Sequence, residues 1–104
     1  MKIVNVQCES FRIEEAKALD PITVIMFDYG SGKGKIVVEC YGSAWSGYWG
    51  AMGESLRSFI SCCGADYLCG SMRPYNRAMT KRESAYLLRI MTAVKEAMKE
   101  QAHD

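Results

Sequence analysis

Two β-rich runs separated by a glycine-rich turn constrain the fold of this chain more than any other feature. The runs are ITVIMFDY at residues 22–29 and KIVVECY at residues 35–41, and both are rich in β-branched and aromatic residues. The five residues between them, GSGKG, include three glycines. Glycine adopts the positive φ angles that a tight turn between antiparallel strands requires. The sequence therefore predicts an antiparallel hairpin at the centre of the fold.

The same glycine-rich turn shares its composition with loops that bind phosphate. Those loops open a helix, whose N-terminus supplies the electrostatic field for the anion. Here a strand follows the glycines, and the Gly-Lys-Ser/Thr ending of a nucleotide-binding loop is missing. A hairpin turn is therefore the favoured interpretation, with Lys33 and Lys35 as candidates for contact with an anion at its tip.

The stretch CYGSAWSGYWGAMG, residues 40–53, supports two opposed interpretations. As a helix, it would gather both tryptophans and two tyrosines on one face. As a strand that continues KIVVECY, it would place Trp45, Gly47 and Trp49 on one side of the sheet. Its four glycines would cost a helix interior about 1 kcal/mol each, whereas in a strand glycines mark bulges or close backbone approach. We therefore expect a bent or bulged strand, with the tryptophans packed under a long C-terminal helix.

Three shorter segments complete the first part of the chain. Residues 2–8 alternate apolar and polar side chains, which predicts a strand with Val4, Val6 and Cys8 inward. Residues 14–19 could form one or two helical turns before the Asp-Pro pair at residues 20–21 ends them. Apolar residues spaced three and four apart predict a helix over residues 55–63, and residues 66–69 predict a further turn.

The strongest helix signal lies at the C-terminal end. Thr80 and Glu83 fit a capping box, in which a threonine at the N-cap is followed three residues later by a glutamate. The residues that follow place Leu87, Met91 and Val94 on one stripe, which predicts a helix to about Gln101. The resulting fold class is α+β, a single domain over residues 1–104. It has an antiparallel sheet of three to four strands, with this long helix and a shorter helix packed on one face.

Composition narrows the class of protein further. The formal charge of +1 supplies no overall field for nucleic acid or an anionic membrane. No run reaches the roughly 20 apolar residues of a membrane-spanning helix, and the N-terminus lacks the long apolar core of a signal peptide. The five cysteines form an odd set with one adjacent pair, which is typical of reduced intracellular thiols. We expect a cytoplasmic protein with no membrane association.

The residues expected of an enzyme or a metal site are largely missing. The single histidine, His103, lies in a tail expected to fray, so a Ser-His or Cys-His nucleophilic pair is not predicted. The cysteines lack the paired short spacings of a zinc site. We expect no catalytic residue, no metal and no cofactor. A redox or metal response built on Cys62, Cys63 and Cys69 stays open as a hypothesis.

A basic and aromatic segment precedes the long helix. The sequence RPYNR at residues 73–77 interleaves Tyr75 between Arg73 and Arg77, and Arg82 follows shortly afterwards. Arginine and tyrosine are typical anchors of protein interfaces, and the same mixture binds single-stranded nucleic acid. A surface loop with no partner is the third interpretation.

The run CYGSAWSGYWGAMG, together with the residues that follow it to Leu68, carries a family resemblance. It is similar to small uncharacterised proteins of temperate tailed phages and prophages of enteric bacteria, over about residues 20–70. The resemblance implies the cytoplasm of an infected bacterium as the setting. It implies no particular activity and no functional residues.

These observations lead to two hypotheses of function. The first is a non-enzymatic phage accessory protein that binds a host protein, for example a defence complex, and modulates or inhibits it by steric occlusion. The residues predicted at that contact are Arg73, Tyr75, Arg77 and Arg82, with Trp45, Tyr48 or Trp49 added if the sheet face is open. The alternative is a small nucleic-acid-binding protein that uses Lys33, Lys35, Arg73 and Arg77. An apolar sheet face could also be buried in a homodimer.

Overall fold

The computed structural model describes residues 1–102 of the chain. Within that range, four antiparallel strands form one sheet in the order β1-β2-β3-β4, and three helices follow. The elements are β1 (Glu9–Ile13), β2 (Ile22–Gly30), β3 (Lys33–Cys40), β4 (Ser43–Trp49), α1 (Leu56–Cys62), α2 (Ala65–Ser71) and α3 (Lys81–Ala102). All three helices pack on the same face of the sheet. The predicted α+β fold is confirmed.

The central hairpin forms as predicted and turns through two residues. Ser31 and Gly32 connect β2 to β3, with φ angles of 55° and 73°, and Gly30 pairs with Lys33. A register shift between Asp28 and Gly30 places a bulge at the end of β2. The turn is fixed to the segment that follows β4, because the Gly32 carbonyl accepts a hydrogen bond of 2.8 Å from the Met52 N–H.

Asp28 joins this bulge to the first helix. Its carboxylate accepts hydrogen bonds from the Leu56 N–H at 3.0 Å and from the Gly30 N–H at 2.9 Å. These two backbone donors lower the pKa of Asp28. The carboxylate therefore satisfies one of the free N–H groups at the start of α1 while it stabilises the bend in β2.

The aromatic-glycine stretch forms a strand, as expected, but a separate one. Tyr41 and Gly42 have φ angles of 49° and 79°, so β3 ends in a two-residue turn instead of continuing. β4 then pairs with β3 in unbroken register from Cys40–Ser43 to Gly34–Trp49. The predicted bulge in this stretch is wrong, since the bulge lies in β2. Trp45 and Trp49 face the helices, at 5% and 7% exposure.

The predicted N-terminal strand is wrong. Residues 1–8 form no regular secondary structure, and Val4, Val6 and Cys8 are exposed instead of facing inward. The first strand begins at Glu9 and pairs with β2 only as far as Met26. Alternation alone does not make a strand, because a strand forms only where its backbone can hydrogen-bond to at least one neighbouring strand. Beyond Met26, β2 approaches the bulge between Asp28 and Gly30, and residues 1–8 form no strand pairs with it.

Residues 14–19 also depart from helical geometry. Glu15 and Ala18 have positive φ angles of 64° and 58°, which an α-helix does not accommodate. One turn remains, closed by a hydrogen bond of 3.2 Å from the Leu19 N–H to the Ala16 carbonyl. This segment acts as the connection from β1 to β2.

The core lies between the sheet and the helices. Alternate residues of β2 and β3 are fully or almost fully buried, as are the apolar stripes of the helices. The α3 stripe matches the predicted periodicity, with Leu87, Met91, Val94 and Met98 at no more than 2% exposure. None of the helices described is long and apolar enough to cross a membrane. On the opposite face of the sheet, Ile25, Phe27 and Val37 are partly buried.

Candidate functional site

The loop between α2 and α3, residues 72–80, is anchored at both ends and displays its side chains between them. At its start, Met72 is the C-cap of α2 and is buried in the core at 1% exposure. At its end, the Thr80 hydroxyl accepts a hydrogen bond of 3.0 Å from the Glu83 N–H, which is the threonine half of the predicted capping box. The Glu83 carboxylate accepts instead from Arg77 and Trp45. Between these anchors, Arg73 is exposed and Tyr75 is 99% exposed.

A groove runs between this loop and β4. Its volume is about 640 Å³. One wall is the edge of β4 with the adjoining outer face of the sheet, and the other is the first half of the α2–α3 loop. We call it the edge groove, and it is lined by Tyr29, Lys35, Ala44, Trp45, Ser46, Gly47, Tyr48, Met72, Arg73, Pro74, Tyr75 and Asn76.

The edge groove is aromatic and positively charged. Tyr29, Tyr48 and Tyr75 are 49%, 57% and 99% exposed, so three phenol rings are available at its surface. Lys35 and Arg73 contribute cations, and no lining residue carries a carboxylate. Neither cation belongs to an ion pair within residues 1–102. The groove therefore offers positive charge that is not neutralised locally.

Arg77 has a different environment from Arg73. Its guanidinium donates two hydrogen bonds to the Glu83 carboxylate, at 2.7 and 2.8 Å, and Glu83 also accepts one of 2.9 Å from the Trp45 indole N–H. These donors lower the pKa of Glu83 from 4.5 to about 2, with the Arg77 bonds the larger cause. The Glu83 bond in turn raises the pKa of Arg77. Arg77 thus ties the loop to α3, and Glu83 in turn connects α3 to Trp45 of β4.

The structure brings some of the predicted contact residues together and separates others. Arg73, Tyr75 and Tyr48 meet in the edge groove, and Lys35 joins them. Arg82 lines a different cavity of about 610 Å³, next to Tyr86. Lys33 is exposed in the β2–β3 hairpin and does not line the groove.

Both tryptophans are largely buried in the core, although Trp45 also lines part of the edge groove. Trp45 packs edge-on against Tyr86 of α3, with ring centroids 5.8 Å apart, and Trp49 packs against Phe59 of α1 at 5.4 Å. Of the three aromatic residues predicted from this stretch, Tyr48 is the one that faces outward. The role proposed for an open aromatic face therefore falls to Tyr48 and the α2–α3 loop.

The sequence did not single out several of the residues that line the groove, among them Tyr29, Ala44 and Ser46. Tyr29 is the penultimate residue of β2, and its ring stacks on Phe27 with centroids 6.3 Å apart. Ala44 and Ser46 line the groove as part of the strand edge. Period two places Ser46 with Tyr48, on the side of the sheet opposite Trp45, Gly47 and Trp49, but the sequence assigned it no role in binding. No local signal indicated that β4 would lie at the edge of the sheet.

Metal and thiol chemistry receive little support from the described residues. Within residues 1–102, no three His, Cys, Asp or Glu side chains lie where they could hold a metal ion, and His103 is outside that range. Cys8 and Cys62 are exposed free thiols. Burial raises the pKa of Cys63 and raises that of Cys69 to about 11. Both effects reduce the reactive thiolate at neutral pH.

The fold and the groove define a small α+β protein with an open, cationic groove at one edge of its sheet. A model of a phage protein family, Phage_phiTE_072, matches residues 1–83 of the chain. The chain therefore belongs to this phage family. The matched range includes the whole sheet, α1, α2 and the edge groove. No curated protein and no solved structure matches the chain.

Proposed function

We propose that this phage protein is a non-enzymatic accessory factor that binds a host protein through the edge groove. Binding would modulate or inhibit that protein by steric occlusion, in the cytoplasm of the infected bacterium, with a host defence complex as one possible target. The observation that supports this most directly is the exposure of Tyr75 and Arg73 from an anchored loop, beside Tyr48. Exposed tyrosine and arginine on a rigid support are typical of interface hot spots.

The Arg77–Glu83 ion pair favours a protein partner over nucleic acid. Of the four residues predicted to contact phosphate, Arg77 is engaged by Glu83, and Lys33 lies outside the groove. Only Lys35 and Arg73 remain together at the groove. A nucleic-acid site that follows a phosphate backbone uses several cations in line. The observed arrangement supplies tyrosines and two cations instead.

The proposal is tested by affinity capture from nuclease-treated bacterial lysate with an Arg73→Ala/Tyr75→Ala double variant. We expect the wild-type chain to retain a host protein after nuclease treatment. The variant should retain at least about tenfold less, since loss of two anchors costs more than 1.4 kcal/mol. Purified wild-type chain added to the captured protein should then block its activity in proportion to the amount bound.

The matched control is an Arg12→Ala/Tyr41→Ala variant. Both residues are exposed and neither lines the edge groove, so capture should equal that of the wild type. Equal loss in both variants would contradict a role for the groove. Capture that disappears with nuclease treatment, or that weakens steeply with salt, would instead support the nucleic-acid alternative.

A further inference from the structure

The free edge of β4 has a defined pattern of unpaired backbone groups. The two-residue turn at Tyr41–Gly42 makes Cys40 and Ser43 a hydrogen-bonded pair, and hydrogen-bonded and non-hydrogen-bonded pairs then alternate along the hairpin. Ala44, Ser46 and Tyr48 therefore direct their N–H and C=O groups away from β3. Within residues 1–102, no backbone hydrogen bond outside the regular elements satisfies these groups.

β4 also lacks the residues and the bulge that commonly protect an edge strand. Proteins commonly block exposed edges with proline, lysine or a bulge. The sequence of β4, SAWSGYW, contains neither proline nor lysine, and its register with β3 is unbroken. Its outward side chains include Ala44 and Ser46, which are small. The edge is therefore regular, and it opens into a groove of about 640 Å³.

The chemistry of the groove indicates what would cover this edge. Alternating donors and acceptors at a strand edge match the backbone of a peptide, which both donates and accepts, and not a phosphate backbone, which only accepts. The two unneutralised cations, Lys35 and Arg73, favour carboxylate side chains. The tyrosines add flat, amphipathic surface for apolar side chains.

We propose that an extended acidic segment of a partner protein binds in the edge groove as a fifth strand of the sheet, paired with β4. This inference rests on the protein-binding function proposed above and specifies how the partner is recognised. Backbone hydrogen bonds to Ala44, Ser46 and Tyr48 supply affinity. Lys35 and Arg73 select for Asp or Glu, and Tyr48 and Tyr75 contact the apolar side chains.

The test begins with selection of a displayed library of random 12-residue peptides against the full chain. Enriched peptides should alternate with period two, carry Asp or Glu, and exclude proline from the centre. One selected peptide is then synthesised with a single N-methyl group at each successive position. N-methylation should weaken binding at least tenfold at alternate positions, whose N–H groups face β4, and leave the intervening positions unaffected. These changes to the peptide leave the folding of the protein untouched.

Two variants of the chain complement the peptide series. Ser46→Pro removes an outward N–H at the centre of β4, and Ser10→Pro removes the corresponding outward N–H on β1, at the opposite edge. We expect Ser46→Pro to lose peptide binding and Ser10→Pro to retain it, after both are checked for folding by circular dichroism. Amide exchange at Ala44, Ser46 and Tyr48 should slow when the peptide binds to the wild type.

Several results would contradict the proposal that a partner segment binds as a fifth strand. These are the absence of enriched peptides, N-methyl effects without alternation, and exchange at the three amides that the peptide does not change. Tighter binding of a dT12 oligonucleotide would assign the groove to nucleic acid. A dimeric free chain with these amides already protected would assign the edge to a second copy. If Arg73→Ala/Tyr75→Ala abolishes lysate capture while Ser46→Pro does not, the proposed function stands and the fifth strand fails.

Discussion

Trp45, Gly47 and Trp49 share the inner face of β4, but each meets a different environment there. The Trp45 indole N–H donates to Glu83, whereas the buried indole N–H of Trp49 has no partner within residues 1–102. Gly47, between them, faces the end of α2. A Cβ added there would lie 2.8 Å from Cγ of Met72 and 3.0 Å from the Trp49 ring. The glycine is needed for close approach of the helix layer to the strand.

Replacement of this single residue, Gly47→Ala, should therefore destabilise the fold. We expect the free energy of unfolding to fall by about 1–3 kcal/mol, as for other overpacked core positions. Urea denaturation measures this as a lower midpoint with an unchanged slope.

Gly70→Ala is the matched control for that substitution. Gly70 lies within α2, and a Cβ there would meet nothing within 4 Å. Alanine is the better helix former, so this variant should gain about 0.4–1 kcal/mol. Equal stability of Gly47→Ala and the wild type would mean that Met72 moves aside without cost.

At the scale of elements, α1 depends on a residue distant in the sequence. The Lys95 ammonium of α3 donates hydrogen bonds to the carbonyls of Ile60 at 3.1 Å, Ser61 at 3.0 Å and Cys63. These carbonyls belong to the last turn and C-cap of α1. The end of a helix leaves such groups without intrahelical partners, and a cation there also interacts favourably with the helix dipole. Lys95 thus fixes the end of α1 against α3.

Substitution of Lys95 by methionine should destabilise the fold by about 1–3 kcal/mol, because part-buried carbonyls lose a charged donor. The loss is measured by urea denaturation, and amide exchange should accelerate selectively in α1. Lys99→Met removes the same charge from an exposed position on the same helix and is expected to change stability by less than about 0.5 kcal/mol. Indistinguishable variants would show that water replaces the Lys95 contacts.

At the scale of the whole molecule, Glu83 joins three parts of the structure. It lies in α3 and accepts from Arg77 of the α2–α3 loop and from Trp45 of β4. Folding lowers its pKa from 4.5 to about 2. Ionised Glu83 therefore stabilises the fold above pH 4.5, and this contribution is lost as the pH falls toward 2.

A Glu83→Gln variant tests this pH dependence. The difference in unfolding free energy between the wild type and the variant should be largest above about pH 5 and should shrink progressively down to pH 2. Urea denaturation at a series of pH values measures it. Glu96→Gln alters an exposed glutamate with no ion pair assigned within residues 1–102 and should give no such trend. A difference for Glu83→Gln that is constant with pH would contradict the electrostatic interpretation.

The sequence by itself determined the features that depend on local pattern. Periodicity and turn composition predicted the β2–β3 hairpin, the α3 stripe, the Thr80 cap and the alternation that buries Trp45 and Trp49 while Tyr48 faces outward. These features need only neighbouring residues to define them. The basic and aromatic character of the α2–α3 loop was visible in the same way.

Only the tertiary structure decided which segments pair as strands and which arginine is neutralised by an ion pair. Residues 2–8 have a strand pattern but no ladder to join, whereas β4 has an edge that no local signal marks. Arg73 and Arg77 are equivalent in the sequence, yet Glu83 neutralises one of them. Strand pairing and ion pairing join groups far apart in the chain, such as Trp45 and Glu83, 38 residues apart. Local periodicity defines which way a side chain faces, but the path of the whole chain determines what it meets.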